Sequence, residues 1–335
     1  MDEWQPPLPE GYDHTNRAFL QALMSRGTMT LADGQQIIAA IVGASAGGSR
    51  NPVDPASVTQ GDLDEYIHAA REALAPLDYD IRRTQHQKTK EWVYALINVH
   101  SDPATQLATT HTPDEISFIK RLLDAMFDTY NTPRMEVLAV DESQALKASR
   151  PSRPGRESNV GANGASGEDS QSAAKDRGLR HSEVLTLLKS LVAEGWLEKS
   201  RDGFYSLSTR SLLELWPWLM ATYNDADSED DWQRIKFCEG CKEIVTVGQR
   251  CADRDCVARI HDICHDQVWP SRANKKCPKC EKPWDANRFV GERAVTSTKA
   301  YQKGRSRGSG RRSNLTEAII AQEEAGGEDE GEMEA

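Results

Sequence analysis

The residues with the clearest chemistry lie between positions 238 and 280, where all seven cysteines of this 335-residue chain are found. Two pairs of cysteines and one His–Cys pair are each separated by only two residues. Zinc prefers four thiolate or imidazole ligands in a tetrahedron, and such short spacings place two ligands on one turn. The candidate ligands are Cys238, Cys241, Cys251, Cys256, His261, Cys264, Cys277 and Cys280.

Eight such ligands predict two closed zinc sites, neither with an open position for a catalytic water. Disulfides are disfavoured because seven is an odd number and the chain shows no secretory signal. The two ions could be bound one after the other along the chain or in an interleaved cross-brace. We predict the interleaved arrangement, with one ion held by Cys238, Cys241, His261 and Cys264 and the other by Cys251, Cys256, Cys277 and Cys280.

The order of these ligands resembles both the plant homeodomain finger and the variant RING domain. Plant homeodomain fingers usually carry an aromatic residue two positions before the seventh ligand, where this chain has Lys275. The Cys-Pro-x-Cys form of the last pair, together with Trp269, looks more like a RING. The RING resemblance implies an apolar surface that docks a ubiquitin-conjugating enzyme. The candidate contacts on it are Ile244, Trp269 and Pro278.

The residue after the last ligand bears on activity. Many active RING domains carry an Arg or Lys there, which contacts both the conjugating enzyme and ubiquitin. In this chain that position is Glu281, followed by Lys282. The departure predicts weak intrinsic activity or dependence on a partner.

Composition limits the remaining choices. No run of 18 apolar residues and no signal peptide is present, so membrane and secreted classes are not expected. The net charge is −11, but six basic residues fall within 299–312 and eight acidic residues within 313–335. This pattern predicts a disordered, basic-then-acidic tail over 291–335.

The elements that lead to the zinc segment predict an α+β, multi-domain chain. In residues 1–134, a first helix around Phe19 to Met24 is followed by two helices that capping boxes at Thr30 and Thr59 open. Two β-like runs, 79–84 and 92–99, follow the third helix, and a capping box at Thr112 opens a further helix after them. Three helices followed by a hairpin is the order of a winged-helix domain. We therefore assign 1–134 to a first winged-helix domain.

A second winged-helix domain is predicted over 135–225, with a disordered insertion at about 150–178. A short strand from Met135 to Val140 and a helix after it would form its first part. A helix from Ser182 and a hairpin around the Arg201–Gly203 turn would complete it. The variant RING zinc domain then occupies 232–290, and the tail follows.

Winged helices bind DNA through a basic helix and wing, or bind proteins through apolar faces. The helix from Ser182 has few basic residues, whereas the run from Arg82 to Lys90 in the first domain is more basic. We predict mainly protein–protein interaction, with at most weak contact with DNA. The apolar side of the first helix is wide enough to suggest a partner surface, and its residues are Phe19, Leu20, Leu23 and Met24.

At this point the chain resembles a known family, the non-SMC element 1 subunits of the SMC five–six genome-maintenance complex. The resemblance rests on the segments 14–26, 195–197 and 210–215 together with the order of the eight zinc ligands, and it covers roughly residues 10–290. It implies two winged helices and a variant RING, a MAGE-type partner, a kleisin partner and a nuclear location. It also implies ubiquitin ligase activity in DNA repair and recombination.

Two alternatives to a ligase stay open. The zinc domain could be purely architectural and never recruit a conjugating enzyme, which the Glu281 departure favours. A chromatin reader of the plant homeodomain type is the other alternative, and Lys275 argues against it. The sequence contains neither a glycine-rich nucleotide loop nor a nucleophile–base motif, so no other enzyme class is supported.

Overall fold

The computed structural model describes seven stretches of the chain: residues 11–46, 53–100, 110–151, 177–224, 232–270, 275–306 and 314–325. The predicted insertion at about 150–178 therefore lies almost entirely outside the described residues. Within them the fold is mixed helix and sheet. No described helix combines the length and the apolar character needed to cross a bilayer.

The first packing unit contains three helices and a three-stranded antiparallel sheet. Thr30 and Thr59 begin capping boxes as predicted, each accepting a hydrogen bond from the backbone of the aspartate three residues later. The sheet has the order β1-β3-β2, and the helices cover one of its faces with a core that includes Phe19, Leu23 and Leu63. The elements are α1 (His14–Arg26), β1 (Thr28–Thr30), α2 (Leu31–Ser45), α3 (Gln60–Leu74), β2 (Tyr79–Gln85) and β3 (Trp92–Asn98).

The second packing unit begins earlier than the sequence predicted. The helix opened by the Thr112 capping box was assigned to the first domain, but its buried Phe118 and Leu122 share a core with Val184 and Leu188. The predicted boundary at 134 is therefore wrong as a packing boundary. The elements of this unit are α4 (Pro113–Asp124), α5 (Glu142–Lys147), α6 (His181–Ala193), β4 (Leu197–Lys199) and β5 (Tyr205–Leu207).

The predicted strand from Met135 to Val140 makes only isolated bridges. Asn131 pairs with Glu136, and Val140 pairs with Tyr205 of β5. Leu138 has a left-handed backbone with φ of 47°, which interrupts the extended conformation that a longer ladder needs. Met135 and Val137 contact the C-terminal helices, whereas Leu138 and Val140 belong to the core of the second unit.

Two short helices, α7 (Thr209–Glu214) and α8 (Trp216–Tyr223), connect the second unit to the zinc-binding segment. That segment forms a small antiparallel sheet in the order β7-β6-β8. Its apolar residues belong to the same core as those of the second packing unit, so the zinc segment packs directly against that unit. Its elements are β6 (Gly248–Arg250), β7 (Arg259–Ile260), α9 (His265–Val268) and β8 (Phe289–Val290).

The prediction of a disordered tail over 291–335 is wrong for its described part. Residues there form α10 (Arg293–Thr296), α11 (Lys299–Ser306) and α12 (Leu315–Ala325). Ile319 and Ile320 of α12 are buried against Met135, Val137 and Phe204. The apolar residues of the tail are few and lie between charged runs, so its charge dominates the sequence pattern. The second packing unit provides the apolar surface against which these helices pack, and this packing stabilises them.

Candidate metal centres and docking surface

Two clusters of four side chains each form around the zinc segment, in the interleaved pairing. The first contains Cys238, Cys241, His261 and Cys264, and the second contains Cys251, Cys256, Cys277 and Cys280. Within each cluster the ligand atoms all lie within 4.8 Å of one another. The clusters are consistent with two zinc ions bound in a cross-brace.

The distances fit a shared ion and not a disulfide. Cys251 and Cys280 have their sulfur atoms 3.5 Å apart, as do Cys256 and Cys277. A disulfide would bring two sulfurs to about 2.0 Å. Two thiolates on a tetrahedral zinc lie about 3.8 Å apart, because each Zn–S bond is about 2.3 Å long. The donor set therefore suits zinc held for structural purposes.

Backbone hydrogen bonds support the thiolate form of these ligands. The amides of Gly240 and His261 each lie 3.4 Å from the Cys238 sulfur, and the amide of Asp253 lies 3.4 Å from the Cys251 sulfur. Hydrogen bonds donated to a charged sulfur stabilise its ionised form. The sharp turns after the first ligand of each site thus help to hold the metal.

His261 is oriented by a main-chain contact. Its Nε2 lies 3.1 Å from the carbonyl oxygen of Ile244, which can only accept, so Nε2 carries the proton. Nδ1 is left free as the ligand and lies 3.2 Å from the Cys241 sulfur. His265, the other histidine next to Cys264, is not in either cluster. Lys275 donates to its Nδ1, and burial and this lysine together lower its pKa.

Ile244 does not lie on a docking surface, contrary to prediction. Its side chain is 2% exposed, and the turn of the β2–β3 hairpin covers this part of the zinc segment. Gln87 in that turn donates to the Ile244 carbonyl at 2.9 Å and accepts from the amides of Thr246 and Val247 at 3.0 and 2.9 Å. The first packing unit therefore covers the part of the predicted docking surface around Ile244.

Trp269 is half-buried in an aromatic stack. Its ring lies 4.9 Å from that of Trp284 and 4.8 Å from that of His265, and its indole N–H donates to the Lys276 carbonyl. Trp284 is buried and donates to Gln249. The two tryptophan rings pack against each other, so much of the Trp269 side chain contributes to packing.

The two zinc loops meet along an exposed edge that the sequence identified only in part. Gly240 of the first loop packs against Val268 of α9, at a distance where an added Cβ would lie 3.4 Å from the valine methyl. Pro278 of the second loop is exposed, and the next residue, Lys279, lies 3.7 Å from Glu239 of the first loop. We call these residues (239–240, 267–268 and 278–279) the loop edge. Val268 was missed because a single valine beside the more prominent Trp269 carries no sequence signal of its own.

The two residues after the last ligand have different surroundings. Glu281 is exposed and adopts a left-handed conformation with φ of 60°. Lys282 forms a 2.7 Å ion pair with Asp253, and the hydrogen bond from Lys282 lowers the pKa of that carboxyl. Lys282 is therefore engaged and does not replace the missing cation at position 281.

A buried cluster of charges joins the zinc segment to residues 132–140, and sequence reasoning missed it. Glu136 is 2% exposed and accepts from Arg259 Nε at 2.6 Å and from Lys236 at 2.7 Å. Arg250 lies 3.7 Å from the same carboxylate. Burial by itself raises the pKa of Glu136, but the Arg259 hydrogen bonds and the three positive charges outweigh it and lower the pKa to about 2. The single Glu136 carboxylate thus forms ion pairs with three buried cations.

The basic hairpin of the first unit is partly neutralised. Arg82 lies 3.3 Å from Asp80, and His86 lies 3.5 Å from Glu198 of the second unit. The Arg83 guanidinium stacks over Trp92 at 5.1 Å. Lys88 and Lys90 are the exposed cations that these pairings leave in this run.

Comparison with known proteins gives matches over most of the chain. Residues 16–215 match the family described as the Nse1 non-SMC component of the SMC5-6 complex, and residues 238–280 match a RING-like domain. The non-structural maintenance of chromosomes element 1 homolog of Homo sapiens is 22% identical over 269 residues, covering 80% of this chain and 83% of its own length. The corresponding Schizosaccharomyces pombe protein is 23% identical over 231 residues, covering 68% and 80%.

A solved structure is similar as well. A chain from a solved Nse1-Nse3-Nse4 complex superposes with a TM-score of 0.59 at 22% identity, covering 82% of this chain and 97% of that chain. At this identity the likeness shows a shared fold.

Proposed function

The chain belongs to the family of Nse1 non-SMC components of the SMC5-6 complex, and on this premise we propose that it is a RING-type ubiquitin ligase subunit acting in DNA repair and chromosome maintenance in the nucleus. The observation that carries the proposal is the pair of closed, interleaved Cys/His clusters within a RING-like domain. Neither cluster offers an open ligand position, so zinc would supply rigidity, not chemistry.

A ligase of this kind acts by positioning. It binds a ubiquitin-charged conjugating enzyme and holds the thioester in a reactive geometry, without forming a covalent intermediate of its own. We place the docking surface at the loop edge, where Val268 and Pro278 supply apolar contact beside the Glu239–Lys279 ion pair. Trp269 supports this edge from beneath, and Ile244 takes no part in docking because it is buried.

We expect Val268→Asp to reduce ubiquitin discharge at least tenfold, because a carboxylate on the loop edge would be buried without a partner against the conjugating enzyme. The measurement is single-turnover discharge of a ubiquitin-charged conjugating enzyme onto free lysine. Val257→Asp is the control for an added carboxylate, since Val257 is a valine of the zinc segment that is 45% exposed and lies outside the loop edge, whereas Val268 is half-buried. Both variants must retain two zinc ions. Equal activity of the two variants would remove the loop edge from the docking surface.

We expect Glu281→Arg to raise the same discharge rate about tenfold, the effect of one added charge-assisted hydrogen bond of roughly 1.4 kcal/mol. Glu281 is exposed and already left-handed, so arginine would add no new backbone strain. Glu281→Gln is the control, because it removes the carboxylate without adding a cation. If glutamine raises the rate as much as arginine does, charge repulsion and not a missing donor limits the wild-type chain.

A purely architectural role is the second candidate. Two observations favour it: the hairpin turn covers Ile244, and position 281 carries no cation. The same assay decides between the two roles. If no conjugating enzyme responds to the full chain, to its partner complex or to Glu281→Arg, the zinc segment serves assembly alone.

We further propose a MAGE-type and a kleisin partner, with the two packing units acting as winged-helix domains. Both units run helix, short strand or bridge, two helices and hairpin, which is the winged-helix order. The similar solved complex is named for two further subunits, Nse3 and Nse4. The hairpin offers only weak contact with DNA, because Lys88 and Lys90 are too few for strong binding to phosphates.

The first helix provides the test of the MAGE-type partner surface. Phe19 and Leu23 are fully buried, whereas Leu20 is half-buried and Met24 is 58% exposed. We expect Met24→Glu to abolish co-purification with the MAGE-type subunit without lowering the melting temperature. Leu77→Glu is the control, since Leu77 is 61% exposed on the turn after α3. Retained binding by Met24→Glu would move the interface away from α1.

A further inference from the structure

A cavity of about 610 Å³ lies between the zinc segment and the C-terminal helices, and arginine side chains dominate its wall. Four arginines line it: Arg134, Arg250, Arg254 and Arg288. We call these four residues and the space between them the arginine pocket. No step of the proposed ubiquitin transfer uses it.

The arginine pocket has more positive charge than its surroundings neutralise. Arg250 is 5% exposed, and its Nη1 donates to the backbone carbonyls of Pro133 and Arg134. The carboxylate nearest to it, Glu136, is already bonded by Lys236 and Arg259. Arg288 reaches Asp285 only at 3.8 Å, and Arg254 makes no ion pair with any described residue.

The helix α12 brings acidic groups to the rim of the pocket. Glu323 lines the cavity, and Arg134 Nη1 donates to the Glu323 carbonyl at 2.9 Å. The Glu324 carboxylate accepts from the Arg134 amide at 3.1 Å. The next ten residues, 326–335, contain five carboxylates and no basic residue. The chain therefore brings an acidic segment close to a cavity that four arginines line.

We propose that the arginine pocket binds the acidic segment 326–335 of the same chain. Two observations select this occupant. Its charge is opposite to that of the pocket, and it follows directly on α12, from whose end its ten residues can extend up to about 33 Å. A tethered segment is held at an effective concentration of about 1 mM, which is high enough to fill a weak site. Bound there, the segment shields the exposed arginines from other polyanions, and its binding weakens as salt is added.

The test uses a full-length variant with a neutral segment and a synthetic peptide of residues 326–335. Calorimetry measures the affinity of the peptide for each chain. With a peptide Kd of about 100 µM, a competing tether at about 1 mM weakens apparent binding to the wild-type chain about tenfold. We therefore expect about tenfold tighter binding to the variant. The substitutions in the variant are Glu328→Gln, Asp329→Asn, Glu330→Gln, Glu332→Gln and Glu334→Gln.

Two further substitutions locate the binding site. In the neutral-segment variant, Arg254→Gln with Arg288→Gln is expected to abolish peptide binding, and both side chains are exposed enough to leave the fold intact. Arg17→Gln, an exposed arginine of α1, is the control and should change nothing. Equal peptide affinity in the wild-type and neutral-segment chains would overturn the proposal. So would a neutral-segment variant that binds a short DNA duplex but not the peptide, because the pocket would then be a nucleic-acid site.

Discussion

Replacing Cys251 by serine is expected to reduce the bound zinc from two ions to one and to unfold the part of the zinc segment around the second cluster. The second cluster would lose one of its four ligands, and a structural zinc site contributes on the order of 10–16 kcal/mol of folding free energy in small fingers. Elemental analysis measures the zinc, and hydrogen exchange locates the loss of structure. We expect protection to be lost around the ligands of the second cluster, at 251–256 and 277–284, and kept over 11–98, which have their own core.

The pairing itself is tested by double variants. Cys251→Ser with Cys277→Ser should lose no more zinc than Cys251→Ser alone, because both residues serve the same ion. Cys238→Ser with Cys251→Ser should lose both ions. A sequential arrangement reverses these two outcomes, because Cys238 and Cys251 would then share an ion. His265→Ala is the control and should retain two ions, since His265 contacts Gln249 and Lys275 and lies outside both clusters.

Replacing Glu136 by glutamine is expected to lower the free energy of unfolding by about 3–5 kcal/mol, the usual cost of removing one partner from a buried ion pair. Three buried cations would lose their shared carboxylate, and Arg259 is fully buried and could not turn to solvent. Urea denaturation measures the change without screening the charges. Lys236→Met is the matched control and should cost less than about 1 kcal/mol, because the cluster keeps two cations for one carboxylate.

The contribution of Glu136 to the free energy of unfolding decreases as the pH falls, because its pKa is lowered in the folded chain. The folded pKa of about 2 lies below the ordinary value of 4.5, so the stabilisation is present in full above about pH 4.5. It is lost as the pH falls toward 2, and the lowered pKa corresponds to about 3 kcal/mol. The stability difference between wild type and Glu136→Gln should therefore shrink over this range. The comparison is made with zinc in excess and only at pH values where elemental analysis still finds two bound ions in both chains, because the three cations around Glu136 belong to the zinc segment. A difference that stays constant from about pH 6 to about pH 3 would show that the charge of Glu136 is not what stabilises the cluster.

Both predictions reflect a zinc segment that is built into the body of the protein. Its core continues that of the second packing unit, Gln87 of the first unit bonds its backbone, and Glu136 bonds its buried arginine. Such anchoring leaves the loop edge uncovered by the two packing units, and there we propose that a conjugating enzyme docks. Because the core is shared, loss of zinc would also disturb the packing of the second unit.

The sequence by itself determined the features that depend on neighbours close along the chain. The zinc ligands could be identified because several of them lie in pairs within one turn, and because cysteines and histidines at this spacing are typical of zinc sites. The capping boxes at Thr30, Thr59 and Thr112 could be identified for the same reason, since each joins residues three positions apart.

Only the tertiary structure decided which surfaces stay exposed and which weak segments become ordered. Ile244 looked like a docking residue until a turn 157 residues away in sequence was found to cover it. Glu136 was one acid among many until the fold placed three cations around it. The helix α12 has too little apolar surface to be stable alone, but Ile319 and Ile320 find a groove on the helical body. Each of these outcomes depends on contacts between residues far apart in the chain, and such contacts cannot be predicted from the local sequence.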